Sequence, residues 1–255
     1  MIDLDKRIGA QYYTINSFCQ TLEGFEESCK KVAAIGYKTV QLSGIGNFSA
    51  EEIKPILDKY NLQPICTHRG VNNYLENLDE EIVFHKTLGI EICGLGCMPG
   101  QDVSLEGIEN FVKNFKPVAK KLEENGLVFA YHNHSFEFEK VDGRYAFDIL
   151  LESFENLKLI LDVYWLAFAG INPASFIRSH PDNVLCVHFK DLKIKGGNKQ
   201  YMAEIGQGNL DWDDIITACE EADVKYAFVE QDICEGDPFD CLETSYKFLK
   251  TKGMN

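Results

Sequence analysis

The chain has 255 residues, 45% of them hydrophobic, and a formal net charge of −15. Such a length and apolar content suit one α/β domain with a full core and exclude a disordered chain. The negative charge disfavours a nucleic-acid partner, since a phosphate backbone is repelled by such a surface, but leaves room for a small substrate held by local groups. No apolar run has membrane-spanning length, and no charged-then-apolar leader stands at Met1–Arg7. The nine cysteines are scattered without a C-x-x-C pair. They read as small buried hydrophobes of a protein in a reducing cytoplasm, not as a disulfide framework.

Strand-then-helix units follow one another. Arg7–Thr14 is the first strand; Leu22, Phe25, Cys29, Val32 and Ala33 then share a helical face closed by Gly36. Tyr37–Leu42 is the second strand, and Ser49 with Glu52 forms a capping box for a helix reaching about Tyr60, with Pro55 placed to bend it. Leu62–Thr67 is the third strand, ending at His68-Arg69-Gly70. A helix over Glu76–Leu88 stops at Gly89, and Ile90–Leu95 is the fourth strand. Ile108, Phe111, Val112, Phe115, Val118, Ala119 and Leu122 stripe a long helix, kinked at Pro117 and closed by Gly126. The fifth strand opens into Tyr131-His132-Asn133-His134-Ser135-Phe136-Glu137-Phe138, where alternation puts His132 and His134 on one face.

A short helix near Arg144–Phe154 precedes the sixth strand, Leu157–Val163, and a helix over Pro173–His180 precedes the seventh, Val184–Lys190. Lys193–Asn209 is a glycine- and lysine-rich loop. Asp211 caps a helix carrying Ile215, Ile216 and Cys219; Tyr226–Glu230 is the eighth strand, and Asp237-Pro238 opens the last helix. Eight such units over residues 1–255, with no linker, predict a single α/β domain with the (β/α)8 TIM-barrel fold. The alternative is an open doubly wound sheet, but no Gly-x-Gly-x-x-Gly follows the first strand.

In a barrel the C-terminal strand ends meet at one mouth. Polar residues recur there: Gln11, Tyr13, Gln41, His68, His132, His134, Asp162, His188, Lys190 and Glu230. A single buried Asp or His at such a place is more often a hydrogen-bonded structural group. Recurrence on neighbouring strands points instead to a site for Mn, Mg, Fe, Co or Zn as a divalent ion, with one of the histidine pair binding and the other orienting it or binding substrate. Tyr13, Phe136, Tyr164, Trp165 and Trp212 would wall a sugar ring or simply pack. Lys190 is the strongest cation, His85 and His180 read as structural or exposed, and Cys66 as an inert buried thiol. Gly206-Gln207-Gly208 gives a weak phosphate signal.

Together these motifs resemble the xylose-isomerase-like barrel superfamily, in its sugar phosphate isomerase/epimerase branch. Gln11-Tyr12-Tyr13, His132 to Phe138, Leu161-Asp162-Val163-Tyr164-Trp165, His188-Phe189-Lys190-Asp191, Gly206-x-Gly208-x-x-Asp211-Trp212 and Val229-Glu230 stand in that branch's order along essentially the whole chain. The resemblance implies that Asp162, His188 and Glu230 are metal ligands. The family's usual fourth ligand, a glutamate on strand five, is His132 here. Ketose 3-epimerases of the family are understood to use two metal-bound glutamates as an acid/base pair, and this chain offers Glu230 alone unless Glu137 folds back. Inosose dehydratases and enzymes of 3-keto sugars, in the same branch, need a polarised carbonyl and one base.

The resulting expectation is a cytoplasmic enzyme: a divalent-metal-dependent sugar or sugar phosphate isomerase/epimerase acting through an enediolate. Inosose dehydratase or 3-keto-sugar lyase is the first alternative and a non-catalytic sugar-binding barrel the second; an abasic-site endonuclease is disfavoured by charge. His132, Asp162, His188 and Glu230 are expected to hold the metal. Glu230, Glu137 and Lys190 are the expected proton carriers, Lys190 with a pKa lowered by desolvation or an adjacent cation. Tyr13, His68, His134, Trp165 and Lys190 are expected on a small sugar or polyol substrate, with no nucleic-acid or membrane partner and homo-oligomerisation left open.

Overall fold

A computed structural model describes residues 8–254. Barrel strands β1 (Ile8–Gln11), β2 (Thr39–Ser43), β3 (Gln63–Arg69), β4 (Ile92–Leu95) and β5 (Val128–His132) are followed by a small hairpin, β6 (Lys140–Val141) and β7 (Arg144–Tyr145). Next come β8 (Lys158–Asp162), β9 (Val184–Phe189), a second hairpin of β10 (Asp191–Lys195) and β11 (Lys199–Ala203), and β12 (Tyr226–Val229). The eight barrel strands pair in parallel, and β1 closes on β12 with Ala10 opposite Val229. Closure in this order is the expected (β/α)8 architecture.

The helices are α1 (Leu22–Ile35), α2 (Ala50–Lys59), α3 (Val71–Glu76), α4 (Leu78–Leu88), α5 (Leu105–Glu124), α6 (Ala146–Ser153), α7 (Val163–Phe168), α8 (Pro173–Ser179), α9 (Trp212–Glu221) and α10 (Pro238–Thr251). Their starts follow local chemistry. The Ser49–Glu52 capping box is formed in both directions, Asp211 accepts from Asp214 N, and Asp237 caps α10 ahead of Pro238. Pro55 and Pro117 lie inside α2 and α5, each of which runs through its proline as one helix.

The strands are apolar on both faces because both are buried. One face packs on the helices. The other fills the barrel with Ile65, Cys66, Ile92, Ala130, Ile160, Cys186 and Phe228. Two glycines make that filling fit: a Cβ on Gly9 would sit 2.5 Å from the Phe228 ring, and one on Gly94 would sit 2.2 Å from Thr67 O. This plug forms the floor on which the polar strand ends stand, with Phe228 edge-on to His188 at 6.5 Å.

Departures from expectation fall at the mouth. β1 stops at Gln11 and turns into 3-10 geometry over Tyr12–Phe18, while Arg7 lies outside the described residues. The segment after β8 is helical because the Asp162 carboxylate caps α7. The Lys193–Asn209 loop contains the β10–β11 hairpin. All nine cysteines are free thiols, and no helix of the described residues is long and apolar enough to cross a membrane.

Candidate active site

The ends of β5, β8, β9 and β12 bring together His132, Asp162, His188 and Glu230, all buried, with one ligand atom from each within 4.8 Å of the others. The outer nitrogen of each imidazole is anchored. His132 Nδ1–H donates to Gly96 O at 3.0 Å, and His188 Nε2–H donates to Gln41 Oε1 at 2.8 Å. This fixes the tautomers and leaves His132 Nε2 and His188 Nδ1 as lone pairs turned inward. They face Asp162 Oδ2 at 3.4 Å and Glu230 Oε2 at 2.8 Å. Lone pairs facing carboxylate oxygens require a proton or a cation between them. Two imidazoles and two carboxylates with outer anchors are the donor set of a borderline divalent ion such as Mn²⁺, Fe²⁺, Co²⁺ or Zn²⁺, so the residues present fit a metal.

Asp162 is held from both sides. Its Oδ1 accepts from Tyr164 N at 2.9 Å and Trp165 N at 3.1 Å, and its own N–H donates to Asn133 Oδ1 at 2.9 Å. Oδ2 is thereby left for the centre. Lys190 is 1% exposed, with Nζ 3.1 Å from Asp162 Oδ2, 3.0 Å from Glu230 Oε2 and 3.0 Å from Asp232 Oδ1. Burial alone would lower its pKa, but the three carboxylates outweigh burial and raise it well above the usual lysine range. The expected drop toward neutrality is therefore reversed: Lys190 is a fixed cation. Burial likewise pushes Asp162 and Glu230 up, yet Lys190 and the histidines hold both below the ordinary carboxylate range. For His132, burial is outweighed by the Asp162 bond and charge, and its pKa is raised.

Around this centre lie His68, 4.8 Å from His132 and 5.2 Å from His188 between ring centroids, and His134, 4.9 Å from His132. β5 ends at His132, so turn geometry rather than strand alternation brings His134 alongside. Burial and neighbouring imidazoles hold His68 well below its usual pKa, and burial with His132 pushes His134 down to about 3. The Trp165 ring lies 5.5 Å from Lys190 Nζ and 5.4 Å from His134. Tyr13 sits farther out, 43% exposed in the turn after β1. Six buried neutral side-chain polar atoms at this end of the barrel have no hydrogen-bond partner among the described residues: Gln11 Nε2, Gln41 Nε2, His68 Nε2, His134 Nδ1, Trp165 Nε1 and Gln231 Oε1.

Two expectations are corrected here. Glu137 does not reach back over the metal residues. It sits fully buried in a 3-10 turn, Oε1 accepting from Tyr131 OH at 2.7 Å and Oε2 from His134 N at 2.8 Å. Burial raises its pKa to about 7. The glycine pattern at Gly206–Gly208 has an internal anion: Asp191 Oδ2 accepts from Gly206 N, Gly208 N and Trp212 Nε1 at 2.7–3.0 Å. His85 is structural, bonded to Thr67 Oγ1 at 2.8 Å and Glu81 O at 2.7 Å. Sequence reasoning missed Asp232 and Asn133. The one signal for Asp232 is its i+2 spacing from Glu230; for Asn133 it is its place between two histidines.

A family model described as xylose isomerase-like TIM barrel matches residues 29–251. Inosose dehydratase 2 of a Bacillus cereus strain is 22% identical over 212 residues, 75% of this chain and 70% of its own length. A sugar phosphate isomerase/epimerase from Parabacteroides distasonis ATCC 8503 superposes with a TM-score of 0.82 at 19% identity, over 96% of this chain and 94% of that one. A D-allulose 3-epimerase from Methylomonas sp. superposes with a TM-score of 0.75 at 15% identity, over 97% and 98% of the two chains.

Proposed function

The chain belongs to the xylose isomerase-like TIM barrel family, and from that premise we propose that it is a divalent-metal-dependent enzyme that removes a proton next to the carbonyl of a sugar or polyol, as an isomerase or epimerase. The observation that carries this reading is the convergence of six unpartnered buried polar atoms, on Gln11, Gln41, His68, His134, Trp165 and Gln231, around the four candidate ligands. Burying that many orphaned polar groups is costly unless a ligand satisfies them.

His132, Asp162, His188 and Glu230 would hold the ion, which supplies Lewis acidity toward a carbonyl beside a hydroxyl. Glu230, kept ionised by Lys190, is the proton acceptor in this reading. Lys190 adds a fixed positive charge where an enediolate oxygen gains negative charge. His68 Nε2 and His134 Nδ1 bind substrate hydroxyls through neutral imidazoles, Trp165 provides a wall with one indole N–H, and Glu137 positions His134.

A second reading is β-elimination from a keto polyol, a dehydratase. It is favoured by His132 at the end of β5: an imidazole committed to a metal serves poorly as a base, and Asp162 is tied to the Tyr164 and Trp165 N–H groups, which leaves Glu230 as the one ligand carboxylate for proton transfer. The relatives named as inosose dehydratases agree with it. Incubating metal-loaded protein in D₂O with keto sugars, inososes and aldoses, read by NMR, tests both. Carbon-bound deuterium with a new epimer or isomer is the expected result; loss of water supports the second reading. No exchange or product across the panel would favour the non-catalytic sugar-binding barrel.

A further inference from the structure

The charges at the mouth say more about the ligand. Six of the eight loops that follow barrel strands, those after β1, β2, β3, β4, β8 and β12, contain no Lys or Arg. Apart from Lys190, the cations on the other two loops and Arg69 at the end of β3 are committed or peripheral. Arg69 forks onto both oxygens of Glu81 at 2.7 and 2.8 Å, Lys193 and Lys195 both hold Glu235, and Arg144 pairs with Glu152. Lys140 and Lys199 are exposed on the two outer hairpins.

Among the described residues Lys190 alone reaches the centre. An ammonium has three N–H donors, and three carboxylates lie within 3.1 Å of this one. Its donors are used. The backbone N–H groups of the Gly206–Leu210 loop, the other place where an anion would settle, are also used: those of Gly206, Gly208 and Leu210 donate to Asp191, and those of Gln207 and Asn209 to Glu204 O and Leu192 O. With a divalent ion in place, three positive charges would balance Asp162, Glu230 and Asp232, so the centre has no surplus for a further anion. What it does offer is neutral: amide, indole and imidazole groups of Gln11, Gln41, His68, His134, Trp165 and Gln231 without partners. Those are the complements of hydroxyl and carbonyl oxygens.

We infer that the substrate is an uncharged polyhydroxy carbonyl compound, a free keto sugar or keto polyol, and not its phosphate ester or a sugar acid. The inference rests on the reaction proposed above but makes its own claim about charge. A phosphate here would face carboxylates with no free cation among the described residues to meet it, and like charges set together oppose binding.

The test uses the metal-loaded protein and matched pairs: fructose with fructose 6-phosphate, and allulose with allulose 6-phosphate. Affinity is read by calorimetry, and carbon-bound exchange in D₂O separately by NMR. The free sugar is expected to bind roughly a hundredfold more tightly than its phosphate. A phosphate that binds as tightly as its parent, or more tightly, overturns the inference whether or not exchange is seen. Exchange on the phosphate in preference to the free sugar overturns it while leaving the proposed reaction standing. Tight binding of the free sugar without exchange supports the inference and removes the proposed reaction.

Discussion

His188 Nδ1 stands 2.8 Å from Glu230 Oε2, and the same imidazole gives its only N–H to Gln41 Oε1 on the far side of the barrel. A buried lone pair thus confronts a buried carboxylate, and Gln41 enforces it. Gln41→Leu should free the ring to take the other tautomer and turn a proton toward Glu230. A loss of about 10–100-fold in metal affinity is expected, read by metal titration, with the fold intact by circular dichroism. Unchanged affinity would mean that His188 is not a ligand.

A metal held by these residues would share Asp162 Oδ2 and Glu230 Oε2 with the Lys190 ammonium, which lies 3.1 and 3.0 Å from them. Lys190→Met should destabilise the metal-free protein by about 3–5 kcal/mol, because buried carboxylates lose their partner. Adding Mn²⁺ or Zn²⁺ should then raise the melting temperature by more than it does in the wild type. Equal increments in the two proteins would contradict a shared cation site.

Glu137 carries a pH signature. Burial raises its folded pKa to about 7, against roughly 4.3 when unfolded. Between those values the folded protein holds a proton that the unfolded chain has released. Its contribution to stability is therefore complete at low pH and is lost as pH rises through about 7, by up to about 3 kcal/mol. Measured by denaturant at several pH values, wild-type stability relative to Glu137→Gln should fall across that window; parallel curves would refute the assignment. As a positioning residue, Glu137 should cost less in kcat on substitution than the roughly 10²–10⁴-fold of a general base.

At Gly208 an added Cβ would sit 2.3 Å from Asp191 Oδ1. Gly208→Ala should push the carboxylate off its ring of N–H donors and cost about 1–3 kcal/mol. Trp212 fluorescence should report it, because the indole N–H is one of those donors at 2.7 Å. A stability and emission equal to the wild type would show that the loop is not built on Asp191.

The barrel was legible because the strands are apolar on two faces and all but β4 end in, or directly before, a polar residue, a pattern that burial on both sides imposes. Asp162 after Leu-Ile-Leu, or His188 within Val-His-Phe, is conspicuous for that reason. What could not be read was how the loops return. Lys190 has its pKa raised instead of lowered partly because Asp232, 42 residues later, folds onto it. Glu137 is sealed by Tyr131 and His134, close in sequence, but only a 3-10 turn after β5 brings its carboxylate under that backbone. Similarly, the Gly206–Gly208 signal was a true anion nest whose anion belongs to the chain itself.

The central claim is a metal held by His132, Asp162, His188 and Glu230. The most direct measurement is the metal content, by elemental analysis, of chelated and reloaded protein beside an Asp162→Asn/His188→Ala double variant. The account predicts about one divalent ion per chain in the wild type and its loss in the variant. Equal metal content in the two would contradict it.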